Sequence, residues 1–448
     1  MKKIFIKTYG CSFNQLDSQI IEKYLINNKY NIVREDDICD LVIINSCSVK
    51  NLSEAKLFND IKKYKLQNKK IIVCGCVPQA EKSYLKTKLK DCSVLGVNDL
   101  DRVCEVVEET LKGVILQIVN PLYNRDINEK NRIKKEKLRL LTKSKKKQSL
   151  QAIIPINEGC LNNCTFCKTK YARGNLFSYS IKNIKKCLKK CVENGAKEIY
   201  LTSQDTACYG FDINSNLVEL LKELLTIKGD YKIRIGMGNP NHFIKIIDSL
   251  LDLMKDENRI YKFLHIPVQS GSNRILNEMK RLYSVEDFLF ITDKAKKTIP
   301  DITLANDLIV AYPTETKQEF YKTIDVLEKS QTNVLNFSRF WLRPNTPAQK
   351  IYFKKDFIDG FESKNRSKIL KKEFETLALK NNKTWIGWQG EVLVTELGKK
   401  GTKSVIGRND SYKPIIIKNS IDKLKIGDKT KVKIDEVTWF DFRGVVVE

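Results

Sequence analysis

Three cysteines, Cys160, Cys164 and Cys167, stand in the run GCLNNCTFC with C-x3-C-x2-C spacing. Three soft thiolates this close suit zinc or an iron–sulfur cluster. A structural zinc site is normally closed by four ligands. Here no histidine follows nearby, and a fourth ligand would have to come from far along the chain. A cubane held by three cysteines leaves one iron open to a small molecule. The run comes directly after the apolar stretch QAIIPIN, so its ligands would sit past the C-terminal end of a strand. A second set is dispersed: Cys11 follows KIFIKTYG, Cys47 follows LVIIN, and Cys76 follows KIIVCG. If those strands share one parallel sheet, three distant thiols converge on the rim where open α/β folds bind ligands. The alternative for this set is small core residues, since free cysteine is often buried.

The remaining cysteines lack such a pattern. Cys187 and Cys191 fall on the apolar face of IKNIKKCLKKCV, and Cys104 lies in a similar helical stripe, so these read as core. Cys74 shares a strand face with Cys76 and is the best spare ligand, though core is preferred. Cys39, Cys92 and Cys208 have no partner pattern. The chain holds 13 cysteines and only two histidines, His242 and His265. An odd count cannot pair fully, and sites built from several histidines are excluded. No apolar run approaches the ~20 residues of a membrane helix, and MKKIFIKTYGC has no signal-peptide core. A soluble, cytoplasmic protein is expected. Lys and Arg number 80 against 54 Asp and Glu, a net charge of +26, which favours a polyanionic partner.

The elements that must position these residues fall into an α/β multidomain plan. Residues 1–118 alternate β-branched strands with helical segments such as LDSQIIEKYLIN, which predicts a parallel α/β sheet domain. Residues 119–149 are a basic linker, NRDINEKNRIKKEKLRLLTKSKKKQ at its centre. It shows no apolar stripe to bury, so a solvated connection or an RNA-backbone contact is expected, joining separate cores. Residues 150–382 contain six strand–helix alternations, with strands QAIIPIN, KEIYLTS, YKIRIGM, KFLHIPVQ, ITLANDLIV and TNVLNFSRF. Six units suit a partial (β/α)6 barrel, and loops at its C-terminal mouth would carry the site. A connecting helix is expected over 362–383. Residues 383–448 change to short strands split by Gly-containing turns, a small β-barrel of a kind that often binds nucleic acid.

Nearly end to end, the chain resembles the radical S-adenosylmethionine (SAM) methylthiotransferase family. The matching motifs are CLNNCTFC, KTYGCSFNQLDS, INSCSV, CGCVPQA, HIPVQSGS at 265–272, MKR at 279–281 and RPNTPA at 343–348. The last segment is similar to the family's RNA-binding TRAM domain. CKTKYARGNLFSYS resembles the archaeal and eukaryotic branch, which modifies N6-threonylcarbamoyladenosine beside the tRNA anticodon. One departure is AYPTET at 311–316, where the family has a GFPGET-like turn. Thr314 replaces a glycine there, so a different or strained backbone is expected.

The resemblance implies two [4Fe–4S] clusters, one on Cys11, Cys47 and Cys76 and one on Cys160, Cys164 and Cys167. The second would bind SAM and yield a 5′-deoxyadenosyl radical that acts on C2 of the adenine, while the first would carry the sulfur. It also implies tRNA as partner, the anticodon stem-loop in particular, and an electron donor such as ferredoxin or flavodoxin. Phe166, Ser203, Gln204, Asp205 and Gln269 are expected to contact SAM. Trp385, Trp388 and Trp439 are candidates to stack RNA bases. Three alternatives stay open: a different adenosine (isopentenyladenosine), a ribosomal protein side chain, and a non-enzymatic iron–sulfur RNA-binding protein.

Overall fold

The computed structural model describes residues 1–48, 51–121, 129–140, 150–354 and 358–447. Six parallel strands form the N-terminal sheet, in spatial order Asn31–Val33, Lys3–Thr8, Leu41–Ser46, Lys70–Gly75, Ser93–Leu95 and Gln117–Ile118. The central strand Leu41–Ser46 is buried throughout, as a parallel strand covered on both faces requires. Two of the strands, Asn31–Val33 and Gln117–Ile118, are too short to announce themselves by periodicity.

All six expected strands of the second unit form. Gln151–Pro155, Glu198–Thr202 and Lys232–Ile235 make one parallel half, and Phe263–His265, Thr303–Val310 and Val334–Arg339 make the other. The isolated bridge Ile233 to Ile260 and the Gly238 amide donating to His265 O at 3.1 Å link the two halves. Helices such as Leu217–Leu225, capped by the Asn216 side chain, pack their apolar faces on the barrel. The helix Gly360–Lys383, capped by Asp359, leads to a closed five-stranded barrel of Gln389–Leu397, Val405–Arg408, Pro414–Ile417, Phe442–Val446 and Lys429–Val437.

Two expectations about the joints are corrected. Residues Glu129–Leu140 of the basic segment form a helix rather than a solvated linker. Its Lys135, Glu136, Leu138, Arg139 and Leu140 are buried; their partners lie far away in sequence, so no local stripe announces them. The cores are also not separate. Leu138 and Ile153 belong to the same apolar cluster as Ile4, Leu16, Ile20 and Ile43 of the N-terminal sheet, and Tyr200 of the second unit packs against it. The stretches 122–128 and 141–149 of the expected linker lie outside the described residues.

The C-terminal barrel is likewise docked. Its turn at 409–413 enters the floor of the six-stranded unit, where the Tyr412 ring lies 4.8 Å from Tyr261, 5.1 Å from Phe263 and 6.3 Å from Tyr200. The Lys262 amide donates to Asp410 O at 2.7 Å, and the Thr303 hydroxyl donates to Ser411 O at 2.6 Å.

Candidate functional site

Each cysteine of the N-terminal set stands at the C-terminal end of a neighbouring strand. Cys11 occupies the N-cap of helix Ser12–Asn27, Cys47 follows Leu41–Ser46, and Cys76 opens the short helix Cys76–Ala80 after Lys70–Gly75. Glycine makes the approach feasible. Gly10 has φ +105, and a Cβ there would lie 2.7 Å from Cys47 Cβ and 2.9 Å from its Sγ. Asn14 ties the loops together: its Nδ2 donates to Tyr9 O (2.8 Å) and Ser46 O (2.9 Å), and its Oδ1 accepts from the Cys76 thiol at 3.5 Å. Burial pushes the Cys76 thiol up to about 12; nearby Arg173 pulls it down, and Cys47 and Cys11 push it further up. Such a thiol ionises only when a strong cation compensates, which is what a metal cluster supplies. Three thiols at neighbouring strand ends, with Gly10 clearing the approach to Cys47, fit a three-cysteine cluster.

The second set lies on the loop after Gln151–Pro155, at the barrel mouth. Gly159 has φ +78, and a Cβ would meet Asn175 O at 1.9 Å. Its amide donates to Gln204 Oε1 at 2.7 Å, and the Cys160 amide donates to Gly174 O at 3.2 Å. The Cys167 amide donates to Cys164 O at 3.1 Å, and Cys167 Sγ accepts from the Thr169 amide at 3.3 Å. Burial drives Cys160 and Cys167 up, with neighbouring acidic or thiol groups adding to it. This donor set fits a three-thiolate cluster for the same reason as the first. Arg281, in the MKR motif, donates to Cys164 Sγ at 3.2 Å and through Nε to the Tyr283 hydroxyl at 2.8 Å. Its partner Cys164 is 117 residues away, so nothing local in the MKR motif points its arginine at a thiol.

The expected SAM contacts divide. Phe166 packs beside Ile275, Met279, Tyr312 and Ala348. Gln204 holds the ligand loop, and the Ser203 hydroxyl accepts from the Asp205 amide at 2.9 Å. Asp205 is fully buried: its carboxylate accepts from the amides of Ala207 (3.2 Å) and Asn239 (3.0 Å) and pairs with His242 Nδ1 at 2.7 Å, with the Cys208 thiol beside them. Gln269 takes φ +73, the left-handed region, between the Asp307 carbonyl and the Ile309 amide. His265 Nε2 lies 2.9 Å from Asp307 Oδ1, which also accepts from Asn336 Nδ2 at 3.0 Å. Three adjacent strands thus place polar groups together.

A buried charged seam joins the two cysteine sites. Arg173 Nη2 donates to Asp17 Oδ2 (2.6 Å) and Asn14 Oδ1 (3.0 Å), and Arg139 pairs with the same Asp17. Burial opposes ionisation of Glu158, yet Lys135, Arg139 and Arg173 hold its carboxyl down to about 2. Lys168, beside Cys167, pairs with Glu81, just past the Cys76 helix. Ser12, beside Cys11, has its hydroxyl 2.7 Å from that of Thr202.

In the C-terminal barrel, Trp385 and Trp388 pack on the apolar interior. Trp439 leans on Phe374, leaving it partly open, and the neighbouring Phe440 is 71% exposed. Lys431 and Lys433 are also exposed on this barrel. Phe440 follows Trp439 directly in the run TWFDF, and no alternation there tells which of the neighbouring aromatics faces out.

Comparison with known proteins gives three matches along the chain. Residues 3–96 match the Uncharacterized protein family UPF0004, residues 154–327 the Radical SAM superfamily, and residues 386–447 the TRAM domain. The chain is 37% identical over 417 residues to a protein of Pyrococcus horikoshii named probable threonylcarbamoyladenosine tRNA methylthiotransferase, covering 93% of this chain and 94% of that one. A human protein named threonylcarbamoyladenosine tRNA methylthiotransferase is 38% identical over 418 residues, covering 93% of this chain and 69% of its own length. The solved structure of a radical SAM methyltransferase from Kitasatospora setae, TsrM, shares the fold at a TM-score of 0.54 and 11% identity, covering 78% of this chain and 74% of that one.

Proposed function

The chain belongs to the radical SAM methylthiotransferases of the threonylcarbamoyladenosine tRNA branch, and from that premise we propose that it installs a methylthio group on C2 of N6-threonylcarbamoyladenosine at position 37 of tRNA. The observation that carries this reading is the pairing of two three-cysteine sites, each at strand C-terminal ends, across one buried seam. We assign Cys160, Cys164 and Cys167 to a [4Fe–4S] cluster that binds SAM, and Cys11, Cys47 and Cys76 to a second cluster. When bound, these groups supply the radical and the sulfur chemistry.

The residues of the chain position and shield that chemistry. Gln204 and Gly159 fix the entry of the barrel ligand loop, and Arg281 donates to the Cys164 sulfur. A donor aimed at a ligating sulfur stabilises its negative charge. The Arg173–Asp17–Arg139 network excludes water from the seam, where each ion keeps a partner. The C-terminal barrel offers Trp439 and Phe440 for stacking and Lys431 and Lys433 for phosphate, which position the RNA without reading its sequence. The base must leave the loop stack to reach the barrel mouth, as in other base-modifying enzymes.

Electrons come in this reading from a small protein such as ferredoxin or flavodoxin. No described helix is long and apolar enough to cross a membrane, and the proposed site of action is the cytoplasm. The test is nucleoside mass spectrometry of tRNA from cells with and without this protein. The 2-methylthio derivative of threonylcarbamoyladenosine should depend on the protein; a methylthio mark on isopentenyladenosine instead would overturn the substrate.

A further inference from the structure

The turn at 343–348, RPNTPA, touches the Cys47 loop, the end of the Cys76 helix and the loop between Cys164 and Cys167, yet holds no candidate ligand itself. Arg343 Nη1 donates to the carbonyl of Ser48, the residue after Cys47. Asn345, in the left-handed region at φ +59, donates from Nδ2 to Glu81 Oε2 at 3.3 Å, just beyond the Cys76 helix. The Ala348 amide donates to Thr165 O at 3.0 Å, between Cys164 and Cys167. The turn is stiffened internally: the Thr346 hydroxyl donates to Arg343 O at 2.8 Å, and the Asn345 amide donates to Gln349 Oε1 at 2.8 Å. Glu81, held by Asn345, also pairs with Lys168 next to Cys167.

We propose that Arg343 is a positioning residue that sets the spacing between the two cysteine sites through this turn. Its guanidinium lies within electrostatic reach of both Cys47 and Cys167. Two sets of thiolates have like charge, and bringing them together in a medium of low dielectric is unfavourable. A cation near both offsets that repulsion while its Nη1 holds the Ser48 carbonyl. A lysine would keep the charge and lose the guanidinium. Sulfur transfer between two sites depends on their separation, whereas SAM cleavage at the barrel site does not. The inference rests on the proposed function only for its product assay.

The test compares wild type with Arg343→Gln, Arg343→Lys and Asn345→Ala, each checked for iron content and thermal unfolding. With reduced protein, SAM and tRNA, 5′-deoxyadenosine and methylthiolated nucleoside are scored together. Arg343→Gln should keep 5′-deoxyadenosine formation within about twofold of wild type and lose tenfold or more in product per SAM cleaved. Its cluster potentials should move to more negative values, because a nearby cation has gone; Arg343→Lys should restore the potentials and only part of the coupling. Asn345→Ala should lower the coupling in the same direction by a smaller factor. Independently of any activity, peptide-resolved alkylation of iron-free protein should modify the buried Cys47 several-fold faster in Arg343→Gln. Wild-type coupling with wild-type Cys47 alkylation in that variant would overturn the proposal. So would a fall in 5′-deoxyadenosine that matches the fall in product, which would place Arg343 in the barrel site itself. If wild type yields no methylthio product, the proposed function fails, while alkylation and potentials still decide the role of Arg343.

Discussion

Replacing Tyr412 by Ala should loosen the C-terminal barrel from the catalytic unit without touching an exposed RNA-facing group. The ring packs against Tyr261 and Phe263 at 4.8 and 5.1 Å, with Tyr200 at 6.3 Å. The guanidinium carbons of Arg408 and Arg234 lie 4.5 and 5.2 Å from its centroid. Truncating a large buried aromatic to Ala typically costs about 3–5 kcal/mol. Tyr412 is only half-buried, which points to the lower end of that range. Its hydroxyl is hydrogen-bonded to that of Tyr200, a contribution of about 1 kcal/mol. Tyr412→Ala should therefore destabilise the joint by about 3 kcal/mol, and Tyr412→Phe by about 1 kcal/mol. Tyr412 also sits at φ +60, and Ala bears the same backbone strain, so no relief offsets the loss. The assay is urea unfolding followed at each unit, with limited proteolysis across the joint and tRNA affinity alongside. Affinity should change little. An Ala variant within about 0.5 kcal/mol of wild type, or no more affected than Phe, would refute the floor contact. Removing residues 384–448 should likewise expose Tyr200, Tyr261 and Phe263, so that truncation disturbs the catalytic unit as well as RNA binding.

Ala311 occupies φ +59 but is buried, so in Ala311→Gly the relief of about 1 kcal/mol of strain should be offset by the lost methyl and the looser unfolded chain, leaving stability within about 0.5 kcal/mol of wild type, read as a nearly unchanged Tm. Burial opposes Glu158 ionisation, yet Lys135, Arg139 and Arg173 hold its pKa at about 2, so its stabilisation is present above the unfolded carboxylate value and lost as pH falls toward 2. Acid unfolding of Glu158→Gln should show a smaller loss between about pH 4.3 and 2 than wild type, with a difference of order 3 kcal/mol. Gly10→Ala should strain the backbone and strike Cys47, lowering iron at the N-terminal site while leaving the barrel site filled, as iron analysis would report.

The parts legible in the sequence were those written locally. Strand-then-cysteine runs at Cys11, Cys47, Cys76 and Cys160 needed only hydrophobic runs and the rule that parallel strands present ligands at their C-terminal ends. The seam was illegible because its partners are remote. Arg173 and Asp17 are 156 residues apart, and Arg343 and Ser48 are 295 apart. The helix Glu129–Leu140 looked solvated because its buried face is charged, with Arg139 and Lys135 neutralised by Asp17 and Glu158 from other elements. The 311–316 turn shows a subtler miss. Strain was expected at Thr314, but the left-handed residue is Ala311, whose amide donates to Glu315 Oε2 at 2.8 Å. Thr314 instead bonds Glu278 through its hydroxyl and accepts from Arg274 at its carbonyl, 2.7 Å.

The central claim is that the two cysteine sites have divided roles, and one comparison tests it most directly. A variant with Cys11, Cys47 and Cys76 all replaced by Ala leaves the Gln204, Gly159 and Arg281 contacts around the barrel ligands in place. Assayed anaerobically with SAM, reductant and threonylcarbamoyladenosine-bearing tRNA, it should retain about half the iron and still form 5′-deoxyadenosine, but yield no methylthiolated nucleoside. Methylthiolation at wild-type yield by this variant would contradict the account.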